Sequence, residues 1–132
     1  MKTCLILLIL TLTSAIPTKA DPMTAGELAA ECRLHADGGT PQTLLESLST
    51  GHCQGYVQAW MEMSVIRTVG GPDQIVVLSW KDGVKVGQVI RVFCLFIKQH
   101  PEKENELAVA KLLEAMSDAN LVEFKPWKPK GA

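Results

Sequence analysis

The stretch Gly51-His-Cys-Gln-Gly-Tyr-Val-Gln-Ala-Trp-Met-Glu-Met-Ser-Val65 decides the fold class. Its apolar residues Cys53, Tyr56, Val57, Trp60, Met61 and Val65 recur at i, i+3, i+4 and i+7, the period of a helix burying one face. A helix starting near Gly51 is predicted, ended by Gly70-Gly71-Pro72. Upstream, Thr24-Ala-Gly-Glu27 has the spacing of a capping box, in which a hydroxyl and a carboxylate satisfy each other's backbone donors. The helix it opens carries Leu28, Cys32 and His35 and stops before Asp37-Gly38-Gly39. Thr40-Pro41 offers a second cap with proline at the first helical position, predicting a short turn through Ser47. Downstream, the β-branched residues 74–80 between Pro72 and Gly83 predict an extended segment and a turn at Lys81-Asp82-Gly83. Helical period returns with Val86, Val89, Ile90, Phe93, Phe96 and Ile97, halted by Pro101. A last helix is expected over Lys103 to Ala119, with Val109, Leu112, Leu113 and Met116 inward and Glu104, Lys111, Glu114 and Asp118 outward. Residues 121–132 are interrupted by Pro126 and Pro129 and carry a local positive charge, and are expected to form a flexible tail. The fold class expected is therefore all-α: one domain over 21–120, a bundle of four to five helices with no internal repeat.

Residues 1–20 are set apart by composition. Lys2 gives a short positive end, Leu5 to Ile16 are almost wholly apolar, and Thr18 and Ala20 are the small residues a signal peptidase reads. About twelve apolar residues fall short of the roughly 20 needed to span a bilayer, so a cleaved signal peptide is predicted, with the mature chain starting at Asp21. Cys4 precedes the apolar stretch, out of place for lipidation. The expected location is periplasmic or secreted, with no membrane attachment after cleavage. Lys2 and Lys19 leave with the leader, taking the formal charge from −1 to −3. A mildly acidic domain lacks the basic stripe of nucleic-acid binders.

Three cysteines remain in the mature chain, Cys32, Cys53 and Cys94. An odd number in an exported protein predicts one disulfide and one spare thiol. Cys32 and Cys53 lie on the inward stripes of successive helices, and bridging them closes a loop of about 20 residues, worth about 3 kcal/mol in the loop-entropy account. Two free core thiols are the alternative. A zinc site is the less favoured reading: His52 and Cys53 are adjacent and point about 100° apart on a helix, although Cys32 and His35, three residues apart, could share an ion. Cys94 sits off the centre of its stripe, and nothing in the spacing ties His52 or His100 to it as a base, so an inert thiol is predicted rather than a nucleophile. His100-Pro101-Glu102 reads as helix punctuation, with acidic residues suited to the next helix's positive end. Trp60 is assigned to the core, and Trp80, in the irregular segment, is assigned as an interface anchor. No catalytic residue, cofactor or metal is predicted.

Cys53-Gln-Gly-Tyr-Val57, Gly83-Val-Lys-Val-Gly-Gln88 and Ile97-Lys-Gln-His-Pro-Glu102, followed by Leu107-Ala108 and Leu112-Leu-Glu-Ala-Met116, together resemble the Tai and Rap immunity proteins over roughly residues 28–119. Those are small periplasmic helical proteins that neutralise cell-wall amidases delivered by type VI secretion. The resemblance implies a non-catalytic binding protein that occludes the active site of a secreted peptidoglycan amidase using a Cys–His pair. It also implies that Gly55, Tyr56, Gly83, Gln88, His100, Pro101 and Glu102 are family structural positions. Two cysteines frequent in the family are missing, their regions being occupied by Ser79-Trp80 and by Asn120-Leu-Val-Glu-Phe124, which leaves Cys32 and Cys53 as the pair. The Gly70–Lys85 connection is the expected plug, with Asp73, Gln74, Trp80, Lys81 and Asp82 as partner-binding residues. Rival readings are an acid-stress chaperone of the periplasm, opened by protonation of histidines and carboxylates, and an enzyme using Cys94. Self-association into a homodimer is compatible with each.

Overall fold

The computed structural model describes residues 21–63, 66–68 and 75–126. The expected leader, residues 1–20, lies outside the described residues, as do Asp73, Gln74 and residues 127–132. The chain runs through α1 (Ala25–Ala36), α2 (Leu44–Glu62), β1 (Ile66–Thr68), β2 (Ile75–Trp80), α3 (Val86–Gln99), a 3-10 turn (Pro101–Lys103), α4 (Ala108–Asp118) and β3 (Val122–Pro126). It is mostly helical, and the expected all-α class needs correcting for a small antiparallel sheet of order β1-β2-β3.

The capping box predicted for α1 is present: the Thr24 hydroxyl accepts from the Glu27 amide at 3.3 Å and the Glu27 carboxylate accepts from the Thr24 amide at 2.9 Å. At its other end, Gly38 takes a φ of +72°. The Gly38 and Gly39 amides there donate to the carbonyls of His35 and Leu34, the paired bonds that close a helix through a left-handed residue.

α2 starts earlier than expected. Its cap is Thr43, not Thr40, because Thr43-x-x-Glu46 repeats the spacing of Thr24-x-x-Glu27, and Glu46 also accepts from the Gln42 amide at 2.7 Å. The helix then runs through Gly51 without a break. A Cβ at Gly51 or Gly55 would meet nothing. Each glycine thus costs α2 only its propensity, about 1 kcal/mol, against the burial of Cys53, Val57 and Trp60 further along. At its far end α2 stops at Glu62, with Met63 already extended, while Val65 and the expected stop at Gly70-Gly71-Pro72 lie outside the described residues. Ile66–Thr68 instead form β1, paired with Ile75–Val77 of β2.

α3 matches expectation, burying Val89, Ile90, Phe93, Phe96 and Ile97. α4 begins five residues later than Lys103, and the reason is tertiary. The carbonyls of Glu104 and Glu106 accept from the otherwise unpaired amides of Gly26 and Ala25 at the start of α1, both at 2.8 Å, while the Ala108 amide donates to Met23. Pairing with α1 holds this stretch of backbone outside a helix of its own. Gly26 permits this approach, since a Cβ there would sit 3.1 Å from the Glu104 side chain and 3.2 Å from its carbonyl.

The inward face of α4 is rotated from the expected one. Ala108, Lys111, Leu112, Ala115 and Met116 are buried and Val109 is exposed. Lys111 tolerates burial because its ammonium meets Glu106 at 2.6 Å and Glu114 at 2.5 Å. α4 ends with Asn120 at φ 54°. The amides of Asn120 and Leu121 donate to Ser117 and Met116, the same closing pattern seen at α1. That reversal sends the expected tail back as β3, which pairs with β2 from Val76↔Pro126 to Trp80↔Val122.

Cys32 and Cys53 are bonded, with Cα atoms 5.1 Å apart and no exposed surface, as their stripes predict. The bridge joins α1 to α2, and α1 and α3 each pack against every other α-helix, so these two form the centre of the bundle. Leu78 and Val122 are buried and Trp80 is half-buried, which seats the sheet on the core rather than beside it. Among the described residues no helix is long and apolar enough to cross a membrane.

Candidate functional site

Trp80, expected to project as an anchor, is turned inward. Its indole stacks edge-on against Trp60 with ring centroids 5.3 Å apart, and its Nε1 donates to the Met61 carbonyl at 3.0 Å. A buried indole N–H needs a partner, and Met61, at the end of α2, provides one. The tryptophan therefore fastens β2 to α2. Of the expected partner-binding residues, Asp73 and Gln74 lie outside the described residues. Lys81 and Asp82 form the turn into α3, with Asp82 exposed and Gly83 at φ +80° closing it.

The family positions do not converge on one place. Gly55 and the half-buried Tyr56 are on α2, where the Tyr56 ring lies edge-on to His52 at 6.3 Å and burial raises the phenol's pKa. Gly83 makes the turn before α3, and the Gln88 amide donates to the Lys85 carbonyl in its first turn. His100 ends that fourteen-residue helix, about 20 Å away at 1.5 Å per residue. There its ring lies 4.7 Å from Phe96 and its Nδ1 is 3.2 Å from Glu102, while Pro101 opens the 3-10 turn. Glu102 is held below the usual carboxylate range by its own backbone amide and by His100. Gly83, Gln88, His100, Pro101 and Glu102 thus shape turns and helix ends, whereas Gly55 and Tyr56 lie inside α2.

Cys94 lines a cleft of about 600 Å³ between α1 and α3, walled by Ala29, Ala30, Leu95 and Ile97 and flanked by Arg33, Arg91 and Lys98. Its Sγ faces the Ala29 carbonyl at 3.9 Å. Burial, with the nearby Asp37 carboxylate, pushes the thiol up to about 11. It is thus protonated at neutral pH, and no histidine lines the cleft to take its proton. His52 is committed elsewhere, with Nδ1 2.5 Å from Glu31 across α1 and α2. Cys32, the thiol a zinc reading would use, is oxidised, and no group of three potential metal ligands occurs among the described residues.

A further feature stands at the start of α2. Leu44, Leu45 and Leu48 are 77%, 74% and 62% exposed. They occupy adjacent positions on the first two turns, in a helix that buries its apolar residues only from Cys53 onward. Beside them a shallow cavity of about 260 Å³ lies between α1 and α2, with Leu34, Leu45, Ser49 and Thr50 in its walls. The Thr50 hydroxyl there is buried without a partner. Its sequence signal is Leu44-Leu-Glu-Ser-Leu48, which the short turn predicted through Ser47 does not put on a helix face. This ridge is held at one end by the Thr43–Glu46 capping box and at the other by the Cys53 bridge to α1.

No family model matches the chain, and no curated protein or solved structure shows a significant match to it.

Proposed function

We propose that the mature chain is an exported, non-catalytic protein-binding domain acting by occlusion, and that its partner is a secreted peptidoglycan amidase, as the resemblance to immunity proteins implies. The observation that carries the binding reading is the leucine ridge of α2. Single exposed leucines are ordinary on protein surfaces, but a contiguous group on a pre-formed helix marks an interaction surface. Fully burying a leucine is worth about 1.5–3 kcal/mol, and a helix fixed by a capping box and a disulfide loses little freedom on docking. Amphipathic helices commonly enter grooves through such anchors. The anchor thus moves from Trp80 to Leu44, Leu45 and Leu48, with the Lys81–Asp82 turn left as polar periphery. The disulfide supports an oxidising compartment, and a periplasmic site of action follows from the leader read in residues 1–20. The raised pKa of Cys94 argues against the enzyme reading.

Inhibition of peptidoglycan hydrolysis by a purified Cys–His peptidoglycan amidase tests the proposal. The chain should inhibit, and Leu44→Asp/Leu48→Asp should weaken inhibition about tenfold or more without lowering helicity. Inhibition untouched by that variant refutes the ridge, and absence of any binding refutes the amidase partner. Suppression of aggregation of unrelated proteins at low pH, with no amidase inhibition, would instead favour the chaperone reading.

A further inference from the structure

We propose that β3 is a self-complementary edge through which two copies of this chain join into one continuous sheet. This inference does not rest on the amidase reading. β3 pairs with β2 on one side, and among the described residues nothing pairs with its other side. The direction of its free backbone groups follows from the ladder. Lys81 and Leu121 are opposite each other in the register that continues from Trp80↔Val122, and the Lys81 amide donates to the Leu121 carbonyl at 3.1 Å. Hydrogen-bonded and non-hydrogen-bonded pairs alternate in an antiparallel ladder. Glu123 and Lys125 therefore turn their backbone groups to β2, and Val122, Phe124 and the Pro126 carbonyl turn theirs to the open edge.

An antiparallel pairing of two β3 strands centred on Phe124 uses all of these groups but one. The two Phe124 residues exchange amide-to-carbonyl bonds across the twofold axis, and each Val122 amide reaches the other copy's Pro126 carbonyl. Proline has no amide to give, which ends the ladder after one strand length and makes a closed pair rather than an open-ended stack. Edge lysines and prolines ordinarily discourage pairing. Here the charge pattern reverses that effect for one partner only. With Phe124 at the centre, Glu123 of each copy lies opposite Lys125 of the other, in the non-hydrogen-bonded positions where side chains come closest. Both side chains are accessible, and in one chain they are 3.2 Å apart on the same face. Phe124 lies on the opposite face, beside the buried Leu78, and remains 53% exposed at the rim of the core. Pairing would bring the two Phe124 rings side by side and join the two cores there.

Sedimentation equilibrium on the disulfide-intact protein, from about 1 μM to about 1 mM, tests this with charge reversals. Glu123→Lys and Lys125→Glu each place like charges opposite one another in both copies, and each should weaken association about tenfold. The double reversal Glu123→Lys/Lys125→Glu restores opposite charges and should return association to within about threefold of the original. The same variants change the charge pair within one chain, so melting temperature is recorded alongside to separate folding from association. A protein monomeric throughout the range, or a dimer in which the double reversal is as weak as the singles or the singles have no effect, overturns the proposal.

Discussion

Cys94 illustrates how a side chain's surroundings decide its chemistry. Its thiol is raised from an ordinary value near 9 to about 11. The folded chain therefore holds that proton more tightly than the unfolded chain, and the associated stabilisation is present below pH 9 and is lost as pH rises through about 11. Alkylation by iodoacetamide at neutral pH should be much slower for the folded protein than for the protein in denaturant, and the high-pH loss of stability should be smaller in Cys94→Ala. Rapid labelling of the folded protein at neutral pH would contradict this. Glu114 shows the opposite sign. The ammonium groups of Lys103 and Lys111 hold its carboxyl below the usual 4.5, so its contribution is present above that value and is lost as pH falls below it. Acid unfolding of Glu114→Gln should accordingly be less steep below pH 4.5, as read by far-ultraviolet circular dichroism against pH. Trp80 has contacts that its local sequence does not reveal. Nothing in 74–80 distinguishes a projecting tryptophan from one that folds back, because its partners Trp60 and Met61 are nineteen or more positions away. Trp80→Ala should lower stability by about 2 kcal/mol, less than the 3–5 kcal/mol expected for the more fully buried Trp60→Ala, in urea titrations of each.

At the scale of elements, what was legible was what is local. The Thr24 box, the Gly38 stop and the α3 stripe depend on residues within a few positions of one another, and each was placed from spacing alone. The late start of α4 depends on carbonyls of Glu104 and Glu106 being claimed by α1, about eighty positions upstream, which no local pattern reveals. β3 was hidden for the same reason: its prolines and charges read as tail, and its strand state comes from pairing with β2. The α2 boundary is different, since the Thr43-x-x-Glu46 signal was there and lost to the more conspicuous Thr40-Pro41. Two substitutions follow from the observed helix. Thr43→Ala should cost about 1 kcal/mol through the lost cap. Gly51→Ala should gain about 0.5–1 kcal/mol, because its Cβ would meet nothing in an otherwise regular helix. Equal melting of either variant and the original would place the start of α2 elsewhere.

At the scale of the molecule, the disulfide, the cap and the core act together to hold one helix end out from the bundle with its leucines uncovered. The proposed binding surface is less legible than the fold because binding surfaces obey no periodicity: Leu44, Leu45 and Leu48 become informative only because α2 begins before them. Reduction of the Cys32–Cys53 bond should destabilise the domain by about 3 kcal/mol and loosen α2 against α1, weakening partner binding along with folding. The most direct test of the occlusion account is hydrogen exchange on the protein alone and with a bound amidase. The account predicts new protection concentrated at residues 44–48, with the α3 and α4 amides unchanged. Protection confined to α3 and α4, with residues 44–48 exchanging as freely as in the unbound protein, would contradict it.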